Sequence, residues 1–166
     1  MLTYTIGFIQ RGQEMLMLNR KSSPMQGVWH GVGGKIEPGE TPMESILREI
    51  LEETGIRLEP SQIHFTGIVT WNDSDKGGID GMYAFVGQVD EQFVYPTPLE
   101  VEEGILAWKS LDWIYASDNY GVGSHVRRFL PIMLFDNQRF EHRCTFESGR
   151  LVDYELLPLH VSSSLT

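Results

Sequence analysis

The residues of this 166-residue chain best suited to act together chemically lie in the segment GGKIEPGETPMESILREILEETGI, residues 33–56. Glu49, Glu52 and Glu53 are spaced i, i+3 and i+4, so on a helix they project from one face. Three like charges side by side repel one another, destabilise an isolated helix and raise one another's pKa. A bound divalent cation removes that conflict. A ridge of carboxylates without His or Cys offers only hard oxygen donors, which points to Mg²⁺, with Mn²⁺ as the alternative, and away from zinc. Arg48 can reach Glu44 at i−4 or Glu52 at i+4 and orient a carboxylate. Glu40 lies just before the helix, near its positive end. Gly33-Gly34 permits close backbone approach and can turn a carbonyl toward the same ion. Most Glu-rich helix faces are solvated surfaces. What distinguishes this one is its fixed spacing with Gly34, Glu40, Arg48, Gly55 and Ile56.

Those side chains need a helix to carry them, and the local signals for one are strong. Thr41-Pro42-Met43-Glu44 is a capping box with Pro at the first helical position. Ile46, Leu47, Ile50 and Leu51 recur at helical spacing, and Gly55 is suited to end the helix. The pattern predicts a helix over 42–54. Around it, residues 2–9 alternate as a strand, Arg11-Gly12-Gln13 turns, and Glu14 to Arg20 returns as a second strand. Residues 21–28 read as a loop, and Trp29 to Gly34 as a short Gly-rich element. Strands are expected at 63–71 and 82–89, joined by NDSDKGGIDG, and at 104–109. A helix over about 122–135 would place Val126, Phe129, Leu130 and Met133 on one face. The stretches 139–146 and 150–157 read as a hairpin turning at Glu147-Ser148-Gly149, and 161–166 as a frayed end. Mixed strands with few helices indicate an α/β or α+β architecture rather than a parallel doubly wound sheet.

Composition narrows the function classes. Against 23 Asp and Glu stand 13 Lys and Arg, a formal charge of −10. That excludes the basic footprint of a nucleic-acid polymer binder and of an electrostatic membrane anchor. No apolar run approaches the roughly 20 residues of a spanning helix, and MLTYTIGFIQRG lacks the features of a signal peptide. Cys144 is the only cysteine, so there is no internal disulfide, and a reducing cytoplasm is the expected compartment. Cys144 has no basic partner in reach by sequence, the histidines lack metal-ligand spacing, and the four tryptophans read as packing residues. Trp71 and Tyr83, on strands beside the long loop, are the candidates for a pocket wall.

Gly34, Glu40, Arg48-Glu49-Ile50, Glu52-Glu53 and Gly55-Ile56 match the Nudix box at every fixed position over residues 34–56, and the chain resembles that family. The resemblance implies an α/β/α sandwich with a mixed central sheet over residues 1–160. It also implies Mg²⁺-dependent hydrolysis of a diphosphate linked to another moiety. GVWHGVGGK, Arg128-Phe129-Leu130-Pro131 and QRFEHRCTFESGRLVDYEL are similar to MutT-like members that act on oxidised purine nucleotides such as 8-oxo-dGTP. By this likeness Glu49, Glu52, Glu53, the Gly33 carbonyl and Glu103 form the metal site. Glu49 or Glu103 serves as base, and Arg48 orients. Arg20 and Lys35 meet phosphates. His30 stands where those members carry an Asn that touches the base, and the two side chains offer different donors and acceptors. Trp71 and Asn119 complete the candidate substrate contacts. The implied partner is a small nucleotide, met by a monomer or homodimer. Other nucleoside diphosphate-linked substrates, or nucleotide sensing without turnover, are the alternatives.

Overall fold

The structure, a computed structural model, describes residues 1–73 and 77–159; the expected frayed end at 161–166 lies outside them. In chain order the elements are β1 (Tyr4–Arg11), β2 (Glu14–Arg20), β3 (Trp29–His30), β4 (Val32–Lys35), α1 (Pro42–Thr54), β5 (Ile63–Asp73) and β6 (Gly78–Val89). They continue with β7 (Leu99–Val101), β8 (Gly104–Ser110), α2 (Leu111–Tyr115), α3 (Val126–Phe135), β9 (Phe140–Glu147) and β10 (Arg150–Pro158). Among the described residues the strands form one sheet in the order β10-β9-β5-β6-β1-β2-β8-β7, with β3 beside β2 and β4 beside β1. The β1–β6 and β5–β9 pairs are parallel and the other pairs antiparallel, so the sheet is mixed. Helix α1 packs on one face, α2 and α3 on the other, which gives the expected α/β/α sandwich.

Strand β1 shows why both faces are covered. Residues Thr5 to Ile9 are all buried, because side chains of either parity meet a helix. Ile6 and Phe8 face α3, where the Phe8 ring lies edge-on to Phe129 at 6.0 Å. Ile9 joins Ile46 and Ile50 of α1 on the opposite side, and the buried Thr5 and Ser45 hydroxyls meet at 3.3 Å. Helix α1 begins and ends where its local signals place it. The Thr41 hydroxyl accepts from the Glu44 N–H at 3.2 Å, the Glu44 carboxylate accepts from the Thr41 N–H at 2.8 Å, and Gly55 closes the helix at φ 75°.

Other elements differ from the sequence reading. Helix α3 starts at Val126 rather than near residue 122 because Val122 bridges Trp29 as extended chain. The Trp29 N–H donates to Gly121 O at 2.7 Å and the Gly123 N–H to Trp29 O at 3.3 Å, so sheet bonds take the residues that periodicity alone would wind into the helix. The long β5 and β6 absorb most of the expected loop. Strand β7 and helix α2 are too short to produce a periodic signal, although Ser110 caps α2 through the Trp113 N–H at 3.2 Å. Trp71 and Tyr83 cannot share a pocket wall: Trp71 packs with the α3 side and Tyr83 with the α1 side. In the β5–β6 register Trp71 pairs with Asp80 and Ile68 with Tyr83, an odd offset that places the two rings on opposite faces. The tail hairpin forms as expected, with Ser148 and Gly149 both at positive φ, the signature of a tight two-residue turn.

Replacing Thr41 by Ala removes the hydroxyl half of the capping box and is expected to cost about 1 kcal/mol of unfolding free energy. Urea titration of the two proteins checks this; an unchanged midpoint is the contrary result.

Candidate active site

The three glutamates at the end of α1 are presented unequally. Glu53 is 7% exposed, whereas the Glu52 side chain is 58% exposed, so the ridge runs from the protein interior into solvent with Glu49 between. One Glu53 oxygen accepts the Gly33 N–H at 2.9 Å. Burial pushes Glu53 up to about 8, against the pull of the Gly33 N–H, and the charges of Glu49 and Glu103 push the same way. Burial also raises Glu49, opposing the guanidinium beside it.

Arg48 ties the outer part of the site together. Its Nε and Nη2 donate to the two oxygens of Glu40 at 2.6 and 3.0 Å. Its Nη1 donates to Glu49 at 2.9 Å and to Glu52 at 3.2 Å, and Nη2 also reaches Lys35 O at 3.1 Å. Of the two glutamates within reach by sequence, Arg48 therefore takes Glu52. Glu44 is committed to the cap, and Glu40 replaces it as the main partner. The hydrogen bond from Arg48 holds Glu40 below the usual carboxylate range and keeps Arg48 firmly protonated.

Two glycines make the close approach possible. Gly33 has φ 153°, and a Cβ there would run into Thr5 O across the β1–β4 pair. A Cβ on Gly34 would stand 2.5 Å from a Glu49 oxygen. Glu103 arrives from the β7–β8 turn, where its carbonyl accepts the Lys21 N–H at 3.1 Å. That bond sets the turn against the end of β2, and Arg20, whose charge bears on both Glu53 and His30, lies at the same place. The Arg20 Nε itself donates to Pro24 O at 2.8 Å. The Lys35 side chain is exposed.

Sequence reasoning missed the partner of His30. Its Nε2 lies 3.0 Å from His125 Nε2, a contact between residues 95 positions apart that no local signal announces. Burial, with the neighbouring His125, lowers His30 to about 3, and burial lowers His125 to about 4, so both rings are neutral and share one proton between complementary tautomers. His125 also packs against Phe129 and Phe146. Trp71 leans on Tyr4 at 6.0 Å on this side of the sheet. The Asn119 amide is tied into its own turn: Nδ2 donates to Trp113 O at 2.7 Å and Oδ1 accepts the Gly121 N–H at 3.0 Å. Cys144 is buried, and burial pushes its thiol up to about 11, consistent with a packing role. At the end of α1, unannounced by the sequence, the Tyr95 hydroxyl donates to Thr54 O at 2.6 Å.

Among the described residues no three carboxylate, imidazole or thiolate side chains are already gathered at metal-ligand spacing. The attraction of Glu49 and Glu52 to Arg48, and of Glu53 to the Gly33 N–H, accounts for that arrangement. The donor set nonetheless fits a hard divalent cation. It is all oxygen, and its innermost carboxylate is desolvated and faces two others. A cation there would offset the repulsion that raises Glu53.

Known proteins resemble this chain over most of its length. The pattern of the NUDIX domain matches residues 2–129. The mouse oxidized purine nucleoside triphosphate hydrolase is 26% identical over 153 residues, 92% of each chain. The uncharacterized Nudix hydrolase YvcI of Bacillus subtilis is 31% identical over 154 residues, again 92% of each. The crystal structure of a MutT protein from Bacillus halodurans superposes with a TM-score of 0.72 at 23% identity, covering 92% of this chain and 95% of that one.

In metal-free protein Glu53 holds its proton to about pH 8, whereas the unfolded chain releases it near 4.5. The folded state is therefore unpenalised at low pH and loses stability as pH rises between those values. Glu53→Gln removes that loss, so in EDTA its melting temperature relative to wild type should climb from pH 5 to pH 8. A difference that stays constant across the range is the contrary result.

Proposed function

The chain belongs to the Nudix family, and from that premise we propose that it is a Mg²⁺-dependent pyrophosphohydrolase of nucleoside triphosphates, with oxidised purine nucleotides as the preferred class. The reaction takes a nucleoside triphosphate and water to a nucleoside monophosphate and diphosphate. The observation that carries the reading is the Glu53 carboxyl, hydrogen-bonded to the Gly33 N–H and raised chiefly by its burial, with Glu49 and Glu103 adding to the shift. Such a group is expensive to ionise unless positive charge joins it.

In this reading Glu49, Glu52, Glu53, the Gly33 carbonyl and Glu103 hold Mg²⁺, or Mn²⁺ in its place. A bound ion of this kind supplies charge neutralisation for the phosphates and lowers the pKa of a water. The protein's own groups position the reactants, which is most of what phosphoryl chemistry asks of an enzyme. Glu49 or Glu103 accepts the proton of the attacking water, since the charges of both carboxylates are felt at Glu53. Arg48 holds Glu49 and Glu52 in orientation. Arg20 and Lys35 receive phosphate charge. With a net charge of −10 the chain repels a triphosphate at long range, so these local cations carry the attraction.

The oxidised-purine preference is supported by the mouse relative, which matches over nearly its whole length. His30 and Trp71 are the proposed base contacts, with the neutral imidazole pair replacing an amide. Asn119 is the third proposed base contact: its turn uses one N–H and one lone pair of the amide, which leaves a second of each.

Glu53→Gln should lower kcat by about two orders of magnitude or more while the circular dichroism stays native. EDTA should abolish turnover and Mg²⁺ restore it; hydrolysis that persists without metal would overturn the mechanism. For the substrate class, kcat/KM for 8-oxo-dGTP should exceed that for dGTP. Equal values, or faster cleavage of ADP-ribose, would reject the preference.

A further inference from the structure

We propose that Tyr95 is a positioning residue for the carboxylate end of α1. Its phenol hydroxyl fixes the last helical turn, and through it Glu52 and Glu53, by the hydrogen bond to the Thr54 carbonyl. The inference rests on the metal-site reading above and adds to it a residue outside the family box.

The argument begins with a conflict in α1. The last carbonyls of any helix lack intrahelical donors, and that end carries partial negative charge. Lys or Arg commonly relieves it. The last turn of α1 has no basic residue and instead carries Glu52 and Glu53. A second cation placed here would pair with Glu53 as Arg48 pairs with Glu49 and Glu52, and every carboxylate of the ridge would then have a cationic side-chain partner. The carbonyls need donors that bring no charge. Each donor seen there is neutral: the Gly55 N–H on Leu51 O at 2.9 Å, the Thr54 hydroxyl on Ile50 O at 2.6 Å and the Tyr95 hydroxyl on Thr54 O at 2.6 Å. Only the last of these comes from outside the helix end, so among these donors it alone ties the turn's carbonyls to the rest of the fold, beside the Gly33 bond to the Glu53 side chain and the packing of Ile50 and Ile56.

Tyr95 is itself held firmly. Trp108 of β8 donates its indole N–H to Tyr95 O at 2.9 Å and sets its ring edge-on to the Tyr95 ring. The Phe93 ring lies parallel to the Tyr95 ring, with centroids 6.4 Å apart and planes at 12°. The Arg11 guanidinium lies 4.0 Å from the Trp108 ring centre. Burial raises the phenol's pKa, which keeps the hydroxyl a donor. The anchor thus runs from β1 and β8 through Tyr95 to the residue next to Glu53.

Tyr95→Phe deletes the hydroxyl and keeps the ring and its packing. Thr66→Val serves as the comparison, because it deletes another hydroxyl-to-carbonyl bond, from Thr66 to Ala84 O at 3.0 Å. The readout is Mn²⁺ binding to the free protein by electron paramagnetic resonance, with amide exchange at Gly55 followed alongside. Tyr95→Phe should weaken Mn²⁺ binding by about tenfold and speed Gly55 exchange, while Thr66→Val leaves both at the wild-type level. Unchanged Mn²⁺ affinity in Tyr95→Phe, or an equal loss in both variants, overturns the positioning role and leaves the carboxylate site standing. Wild-type protein that binds no Mn²⁺ overturns the metal site and this inference together.

Discussion

The constraint on which the site depends is the desolvation of one carboxyl group. Glu53 sits out of water, within range of two other carboxylates, and accepts one backbone N–H. A buried anion in that position is costly, and the surroundings are arranged around that cost. Gly33 brings its N–H against the oxygen. Arg48 draws Glu49 and Glu52 toward itself while its two-pronged bond to Glu40 fixes the guanidinium in place. The helix end that carries Glu53 is secured by neutral donors instead of cations. Each feature either tolerates the negative crowding or leaves it open to be relieved by a divalent cation.

The sheet separates two tasks between its faces. The α1 side mixes aliphatic residues with Phe65, Tyr83 and Phe85 and supports the carboxylate helix through Ile46, Ile50 and the Thr5–Ser45 contact. The α3 side gathers aromatic rings, among them Tyr4, Trp29, Trp71 and Phe146, with His125 packed against Phe146. Only two residues lie between His30 and Gly33, so the β3–β4 segment couples the imidazole pair to the carboxylates within one stretch of chain.

Legibility in the sequence followed the range of the interactions. Helix α1 was readable to the residue because its cap, its apolar spacing and its terminal glycine act over four positions or fewer. The Ser148-Gly149 hairpin was readable for the same reason. Helix α3 was read four residues too long, because Val122 has helical spacing with its neighbours yet is claimed by a strand bridge to Trp29. Proximity to one loop suggests a shared wall for Trp71 and Tyr83, whereas face is set by register, which the loop does not reveal.

The sequence by itself determined which donors are present and how they are spaced: a row of glutamates at i, i+3 and i+4, a guanidinium one residue before them, and two glycines ahead. Those follow from helical geometry and local capping. Tertiary structure alone decided which glutamate loses its water, which histidine His30 meets and what holds the end of α1. Those outcomes join residues 20, 95 and 41 positions apart, and desolvation at any point depends on every segment that covers it.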